Sequence, residues 1–447
     1  MSGGLENIIN SGQNSFLDVM IIIVLLGSGI YFTVKTKWFQ LTGIRFIFKN
    51  TVGTLLKKDK PVDSKKISSF QAMTTALAGT MGVGNIAGVA TALVAGGPGA
   101  IFWMWISAFF GMMTKYSEIF LAVKYRRHDS MGRVFGGPMY YMEYGAGKKW
   151  LACVFAFLCV VCAGTVSNLT QINSLSTAVY ASFSVPLWVS GALSVLCAGA
   201  VIVGGIKRIG ATTELLIPFI SIAYICISLG FLIINRAYIT GALSLIVESA
   251  FSFRTAAGGV TGYGIARAMK IGLSRGVFTN EAGLGSAPIA HAGADCKSAS
   301  HQAVWGIFEV FLDTIVACTL TALVLLTANG GTLWRSGADG APLTALAFET
   351  LYGGFGGKFV SLSIIFFALA AILGWYYYGE TALGYLFKRS RAALYSYRLF
   401  FFSFVFVGAV GDMSLIWSVA DIFIALMAIP NIAALVLLRK EIKLPKT

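Results

Sequence analysis

Charge is what this sequence has least of. Only 12% of its 447 residues are charged, whereas 57% are hydrophobic. A soluble domain needs more charge than that to cover itself, so soluble enzymes and binding modules are excluded and a polytopic membrane protein remains. Histidine is scarcer still: His128, His291 and His301 are too few for a metal cluster. The seven cysteines, at 153, 159, 162, 197, 226, 296 and 318, lie almost all in apolar stretches. Cys159 and Cys162 have redox-motif spacing, but a hydrophobic helix without a second pair makes packing the reading for them. A nucleophile beside its base is also lacking, so an intramembrane enzyme is not expected, and no cofactor is implied.

Acidic residues are few as well, 19 against 34 lysines and arginines. The net charge of +15 would suit a nucleic-acid binder, but its distribution argues otherwise. Nine basic residues, from Lys35 to Lys66, fall between the first two apolar stretches, and the other clusters (124–133, 148–149, 207–208, 388–391 and 439–446) fall on the same side once spans are counted. The opposite loops hold little more than Arg236, Arg254, Arg335 and Lys358. This positive-inside bias expects the N-terminus outside and the C-terminus in the cytoplasm of a cell membrane. The segment FQLTGIRFIFKNTVGTLLKK, aromatic and basic, is expected to lie at the membrane interface.

Long hydrophobic runs are what is there. About 20 apolar residues cross a bilayer, and such runs lie near 16 to 36, 69 to 96, 100 to 124, 150 to 178, 185 to 204, 211 to 235, 262 to 293, 303 to 328, 357 to 387, 394 to 410 and 413 to 438. The fold class is therefore all-α, with about eleven transmembrane helices. The polar opening MSGGLENIINSGQNS has no basic n-region, so the first run reads as a retained span.

One run is interrupted. The stretch 69–95 holds Gly79, Thr80, Gly82, Gly84 and Asn85 at its centre. Glycine costs about 1 kcal/mol relative to alanine in a helix interior, and an amide freed in hydrocarbon must find a polar partner. A small-residue face for close helix packing is the alternative. About two hundred residues later Glu281, Ala282, Gly283, Leu284 and Gly285 repeat the pattern, with Gly82 matching Gly283 and Gly84 matching Gly285. The same offset lays the second to sixth spans onto the seventh to eleventh. Five being odd, the halves are inverted, and glycine-interrupted helices at matching positions of inverted repeats mark a midplane transport site. Residues 1–68 then form an N-terminal helix and interfacial loop, 69–235 a first repeat, and 236–447 a second with a basic tail. Two paired breaks suit occlusion; a channel would need rings of filter residues.

Motifs across the whole chain add a resemblance: GTMGVGNIAGVATA (79–92), GGPGAIFWMW (96–105), RGVFTNEAGLGSAPIAHA (275–292), FLDTIVACTLTAL (311–323), ILGWYYYGE (372–380) and ADIFIALMAIPN (420–431). The chain resembles the alanine or glycine:cation symporter family, whose fold is similar to the LeuT-type five-plus-five inverted repeat with one extra N-terminal helix. The resemblance implies cation-coupled symport of small neutral amino acids, with sodium or a proton as co-substrate. A larger amino acid such as glutamine is an alternative substrate, and no obligate protein partner is evident.

Broken helices offer amides to a carboxylate and carbonyls to an ammonium or a cation. Gly82, Val83, Gly84 and Asn85 are assigned to the carboxylate. Thr80, Asn280 and the carbonyls approaching Gly283 and Gly285 are assigned to the ammonium or cation. Thr170 and Gln171, polar in mid-span, are side-wall candidates, with ordinary interhelical bonding the alternative. Trp375 resembles the family's pocket-lining tryptophan, which would restrict side-chain size. Acids within spans are costly and default to functional candidates: Glu118, Glu214, Glu309, Asp313 and Asp421. Asp313 is the first choice for coupling, Glu281 with Arg275 a candidate gate, and ion pairs with Arg267, Lys270 or Arg275 the structural alternative. The chain departs from the family at Ala370 and Ala371, where hydroxyls usually help hold sodium. The carbonyls of Ala78, Met81 and Phe367 remain there, so a sodium site between the second and ninth spans is expected to be weak. Coupling would then rest near Thr80, Asn85 and Asn280, or on protonation of Asp313.

Overall fold

The computed structural model describes residues 16–55, 67–128, 132, 134–251, 261–411 and 414–445. Helix α1 (Phe16–Lys35) leads into short helical turns at Phe39–Thr42, Ile44–Asn50 and Val52–Leu55. There Phe39 and Ile47 point inward, while Leu41, Ile44, Phe48 and Val52 are exposed beside Arg45 and Lys49. An apolar surface mixed with cations suits a segment lying on a membrane face.

The next elements are α2 (Ser69–Thr80), α3 (Ala87–Gly96), α4 (Gly99–Lys124), α5 (Lys149–Val161), α6 (Ser167–Phe183), α7 (Leu187–Ile202) and α8 (Gly205–Ile234). The second half runs α9 (Ile239–Phe251), α10 (Thr261–Asn280), α11 (Ala287–His291), α12 (Ala299–Val310), α13 (Thr319–Thr327), α14 (Gly340–Tyr352), α15 (Gly354–Leu386), α16 (Arg391–Val410) and α17 (Ser414–Leu437). Short π-helical segments, Cys162–Val166 and Phe311–Cys318, join α5 to α6 and α12 to α13. Among the described residues, five helices are long and apolar enough to cross a membrane: Lys149–Phe183, Gly205–Ile234, Ala299–Gly331, Gly354–Leu386 and Arg391–Val410.

Helices α9 and α14 were not expected from the sequence. Each has 13 residues, too few to span. Each buries one stripe, Ala242, Ile246 and Ala250 in α9 and Leu343, Thr344, Ala347 and Phe348 in α14, so they are amphipathic helices laid against the bundle.

Both expected interruptions are present. Helix α2 starts on a capping box, in which Ser68 Oγ accepts from the Gln71 amide and Gln71 Oε1 from the Ser68 amide, each at 3.0 Å. It stops at Thr80, passes through extended Gly82 (φ −128°, ψ −150°) and one 3₁₀ turn at Val83–Asn85, and resumes as α3. Helix α10 stops at Asn280, and α11 begins at Ala287 after left-handed Glu281 (φ 53°), Gly283 (φ 95°) and Gly285 (φ 82°). The glycines serve different ends. At Gly82 space decides, because a Cβ would lie 2.8 Å from Gln171 Oε1; at Gly283 the backbone decides as well.

The halves meet around these breaks. Helix α4 packs on α10 and α12, α2 on α8 and α15, and α6 on α15 and α16. A parallel strand pair, β1 (Ile67–Ser68) with β2 (Ala294–Asp295), ties the start of α2 to the chain just beyond α11, Ile67 opposite Ala294 and Ser68 opposite Asp295.

Candidate functional site

A small cavity lies between the two breaks. Its lining is Gly79, Thr80 and Gly84 from the first broken helix, Ser167, Thr170 and Gln171 from α6, Phe278, Glu281 and Leu284 from the second, Trp375 from α15 and Ile424 from α17. Six of these are residues the sequence singled out: Thr80, Gly84, Thr170, Gln171, Glu281 and Trp375. Phe278, Leu284 and Ile424 were not, since apolar wall residues look like any other core residue in a sequence this hydrophobic.

The remaining candidates stand behind the lining and hold its shape. Gln171 Oε1 accepts from the Val83 amide at 3.2 Å, so the side wall meets one of the amides freed by the break. Asn85 Oδ1 accepts from the Gly82 amide at 3.2 Å. The Asn85 carboxamide itself turns away from the cavity, its Nδ2 donating to Asp313 Oδ1 at 2.8 Å and to the Asp313 carbonyl at 3.0 Å. Two carbonyls of the break are met too: Thr321 Oγ1 donates to Asn85 O (2.8 Å) and Thr344 Oγ1 to Ile86 O (3.2 Å).

Across the cavity, Asn280 Oδ1 caps the Ala282 amide at 3.0 Å, and its Nδ2 donates to Thr314 Oγ1 at 3.4 Å. Thr314 Oγ1 donates to Asp313 Oδ2 at 2.8 Å, and Thr279 Oγ1 lies 3.5 Å from Thr314 Oγ1. Asn85 and Asn280, one from each break, therefore converge on Asp313 and Thr314 in the π-helical turn. All four are buried. The carboxylate of Asp313 is thus met by the Asn85 Nδ2 and the Thr314 hydroxyl, while the two amide oxygens are turned to the Gly82 and Ala282 amides.

Gly283 and Gly285 face outward from the cavity, toward Leu25 and Ile432, and toward Pro138, Asn431 and Phe155. Asn431 Nδ2 donates to Gly283 O at 2.8 Å and to Glu118, and Asn431 Oδ1 accepts from Tyr141. Glu281 is held by the Ser286 hydroxyl, while the Arg275 guanidinium sits 5.9 Å from the Phe278 ring centroid. Glu214 accepts from Gln71 Nε2 at 2.8 Å, and the Asp421 side chain lies outside the described residues.

Ala78, Met81, Phe367, Ala370 and Ala371 are all buried. Met81 Sδ receives the Ser221 hydroxyl at 3.6 Å, and the Phe367 ring packs 6.4 Å from that of Tyr224. Trp375 is 3% exposed and stands edge-on to Tyr378, centroids 5.5 Å apart. A buried tryptophan fixed by a neighbouring ring gives the cavity a stiff apolar wall.

The sequence-family model described as the sodium:alanine symporter family matches residues 2–444. The chain belongs to that family. It is 43% identical over 433 residues to the sodium/alanine symporter AgcS of Methanococcus maripaludis, covering 95% of this chain and 93% of the relative. In fold it is similar to the crystal structure of MhsT in complex with L-phenylalanine (TM-score 0.56, 15% identity, 83% of this chain and 89% of that one). It is also similar to an outward-open Na+-coupled sialic acid symporter (TM-score 0.56, 12% identity, 94% and 86%). The LeuT-like architecture expected from the sequence is thus the one found. The match to a transporter family also agrees with the expectation that this is not an enzyme, and sodium enters as a co-substrate.

Proposed function

We propose that this protein carries small neutral amino acids, alanine or glycine foremost, into the cell together with sodium by alternating access. The observation that carries this reading is the cavity between the two helix breaks, with donors on one wall, a carboxylate on another and tryptophan on a third. A zwitterion fits that polarity. Its ammonium sits beside Glu281 and the Thr80 hydroxyl, and its carboxylate beside Gly84, at the start of the second half-helix, and the Gln171 carboxamide. Trp375, Leu284, Phe278 and Ile424 then leave room for a short side chain only.

Sodium binds at the Asp313 cluster, at the oxygens of Asp313, Thr314 and Thr279, with the Asn85 and Asn280 carboxamides holding those groups in place. Because Ala370 and Ala371 supply no hydroxyl, this cluster and not the second-to-ninth span interface sets sodium affinity. The two breaks sit at equivalent positions of halves 69–235 and 236–447, which supports inverted repeats that rock about a fixed site. The lysine and arginine bias supports an outside N-terminus and a cytoplasmic C-terminus in the cell membrane.

The test is uptake of radiolabelled alanine into proteoliposomes. Accumulation against its gradient under an inward sodium gradient at equal pH supports the proposal. Equilibration without accumulation indicates a channel, and accumulation driven by a pH gradient without sodium makes Asp313 a proton carrier.

A further inference from the structure

His291 is the last residue of α11, completely buried, and it sits beside a buried lysine that the substrate site does not use. Its Nε2 is 3.1 Å from Glu309 Oε2 of α12, and Glu309 Oε1 is 3.4 Å from Lys115 Nζ of α4. The three side chains are at most 1% exposed. Gln302 Nε2, about two turns before Glu309 on α12, lies 2.8 Å from His291 Nδ1. Lys115 Nζ and Glu309 Oε1 face each other as an ion pair, and Gln302 Oε1 is left without a hydrogen-bond partner among the described residues. A buried polar atom without a partner is rare and calls for an explanation.

With the Gln302 carboxamide placed so that Nε2 faces the ring, His291 Nδ1 accepts and the ring proton lies on Nε2, donated to Glu309. The same pocket accommodates a second state. If His291 gains a proton on Nδ1, a half-turn of the Gln302 carboxamide brings Oε1, now unpartnered, onto that proton. Both states keep Nε2–H on Glu309, and the transition needs only one proton and one amide rotation.

We propose that His291, with Glu309 and Gln302, is a proton-binding site separate from the sodium cluster, loaded and emptied as α11 moves. The proton enters at Nδ1 from water on the side of β1 and β2, the side the basic residues assign to the cytoplasm, and leaves to the same water. No other bond changes. Charged and titratable groups face the site from several elements. Helix α4 presents Lys115 and Glu118, the second break Glu281, the π-helical turn Asp313 and α15 Tyr378, all coupled electrostatically within this group. Arg45 and Lys49, on the interfacial turns against α12, are exposed, and His301 is half-buried. Helix α2, which also packs on α11 and α12, carries no titratable side chain. Lys115 is thus the cation among four buried acids, and its ammonium faces the same Glu309 carboxylate that meets His291. Closing the cytoplasmic side over a charged His291 leaves two cations, His291 and Lys115, sharing the one Glu309 carboxylate in a dry interior, which is unfavourable; the proton must go first.

The inference rests on the symport reading, and the experiment separates the two. Sodium-driven alanine uptake is measured in proteoliposomes with the external pH fixed and the internal pH varied between about 5 and 8, the range in which histidine titrates. The parent is expected to show an internal-pH profile spanning several-fold in rate. His291→Gln, which keeps a donor toward Glu309 but cannot take up a proton, flattens it. Gln302→Glu, which gives the Nδ1 proton a charged acceptor, displaces the profile toward alkaline pH and stands as the test if His291→Gln does not fold. A parent that accumulates alanine with no internal-pH profile, or a His291→Gln profile like the parent's, overturns the proton site while leaving symport intact. A parent that does not accumulate alanine overturns symport itself.

Discussion

Asn85 and Asp313, 228 residues apart, are joined twice, the carboxamide of one donating to both the carboxylate and the backbone carbonyl of the other. The first helix break and the π-helical turn are therefore one unit. Asn280 joins it through Thr314 from the second break, so whatever binds at Asp313 reports to both broken helices.

Asp313→Asn keeps the size and one oxygen but removes the charge. Hydrogen bonds and close contacts to a charged group are worth about 1.5–3 kcal/mol, so apparent sodium affinity is expected to fall about tenfold or more. Asn85→Ala should fall by a similar factor. The check is the sodium dependence of alanine uptake at saturating alanine.

Trp375→Ala should weaken alanine binding and admit longer side chains. Each buried CH2 is worth about 0.8 kcal/mol, or about fourfold in affinity. Competition of alanine uptake by a series of straight-chain amino acids measures the shift; an unchanged ranking would remove Trp375 from the pocket wall.

Gly283→Ala is expected to be severe. Its φ of 95° disfavours any side chain, and the added Cβ would lie 2.4 Å from Leu25 Cδ2. Backbone strain of this kind costs about 1–3 kcal/mol before the clash is counted. Gly88→Ala, where nothing lies within 4 Å, is the control. Size-exclusion profiles and apparent thermal midpoints in detergent should separate the two variants.

Thr321→Val preserves shape but takes away the donor to the Asn85 carbonyl. A buried acceptor left unmet costs about 1–3 kcal/mol. A lower apparent melting midpoint, together with weaker sodium affinity, is expected, whereas an exposed threonine such as Thr332 changed in the same way should alter neither.

The breaks and the repeat were legible because glycine punctuates the backbone wherever it occurs, and Gly82 and Gly283 sit at matching places in two similar stretches. Trp375, Thr170 and Gln171 stood out through residue type in mid-span. The partners did not. Glu309 was read as a lone acid that could pair with Arg267, Lys270 or Arg275, but it meets Lys115 and His291. Lys115 lies nearly two hundred positions away in α4, and no local pattern announces which helices will touch. Asn431, which fastens Gly283, was quoted only as part of a motif, since its use depends on where α17 docks. Helices α9 and α14 escaped notice because a short amphipathic helix has neither the length nor the uniform apolarity of a span.

The short ribbon formed by Ile67–Ser68 and Ala294–Asp295 has a mechanical meaning. It stitches the beginning of one discontinuous rod to the far end of the other, and Arg126, reaching the carbonyl of Ala294 at 2.7 Å, pins that stitch to the foot of α4. Two rods clasped at one membrane face cannot part there independently. Any opening toward that face has to swing them together, as the two blades of a hinge share one pin.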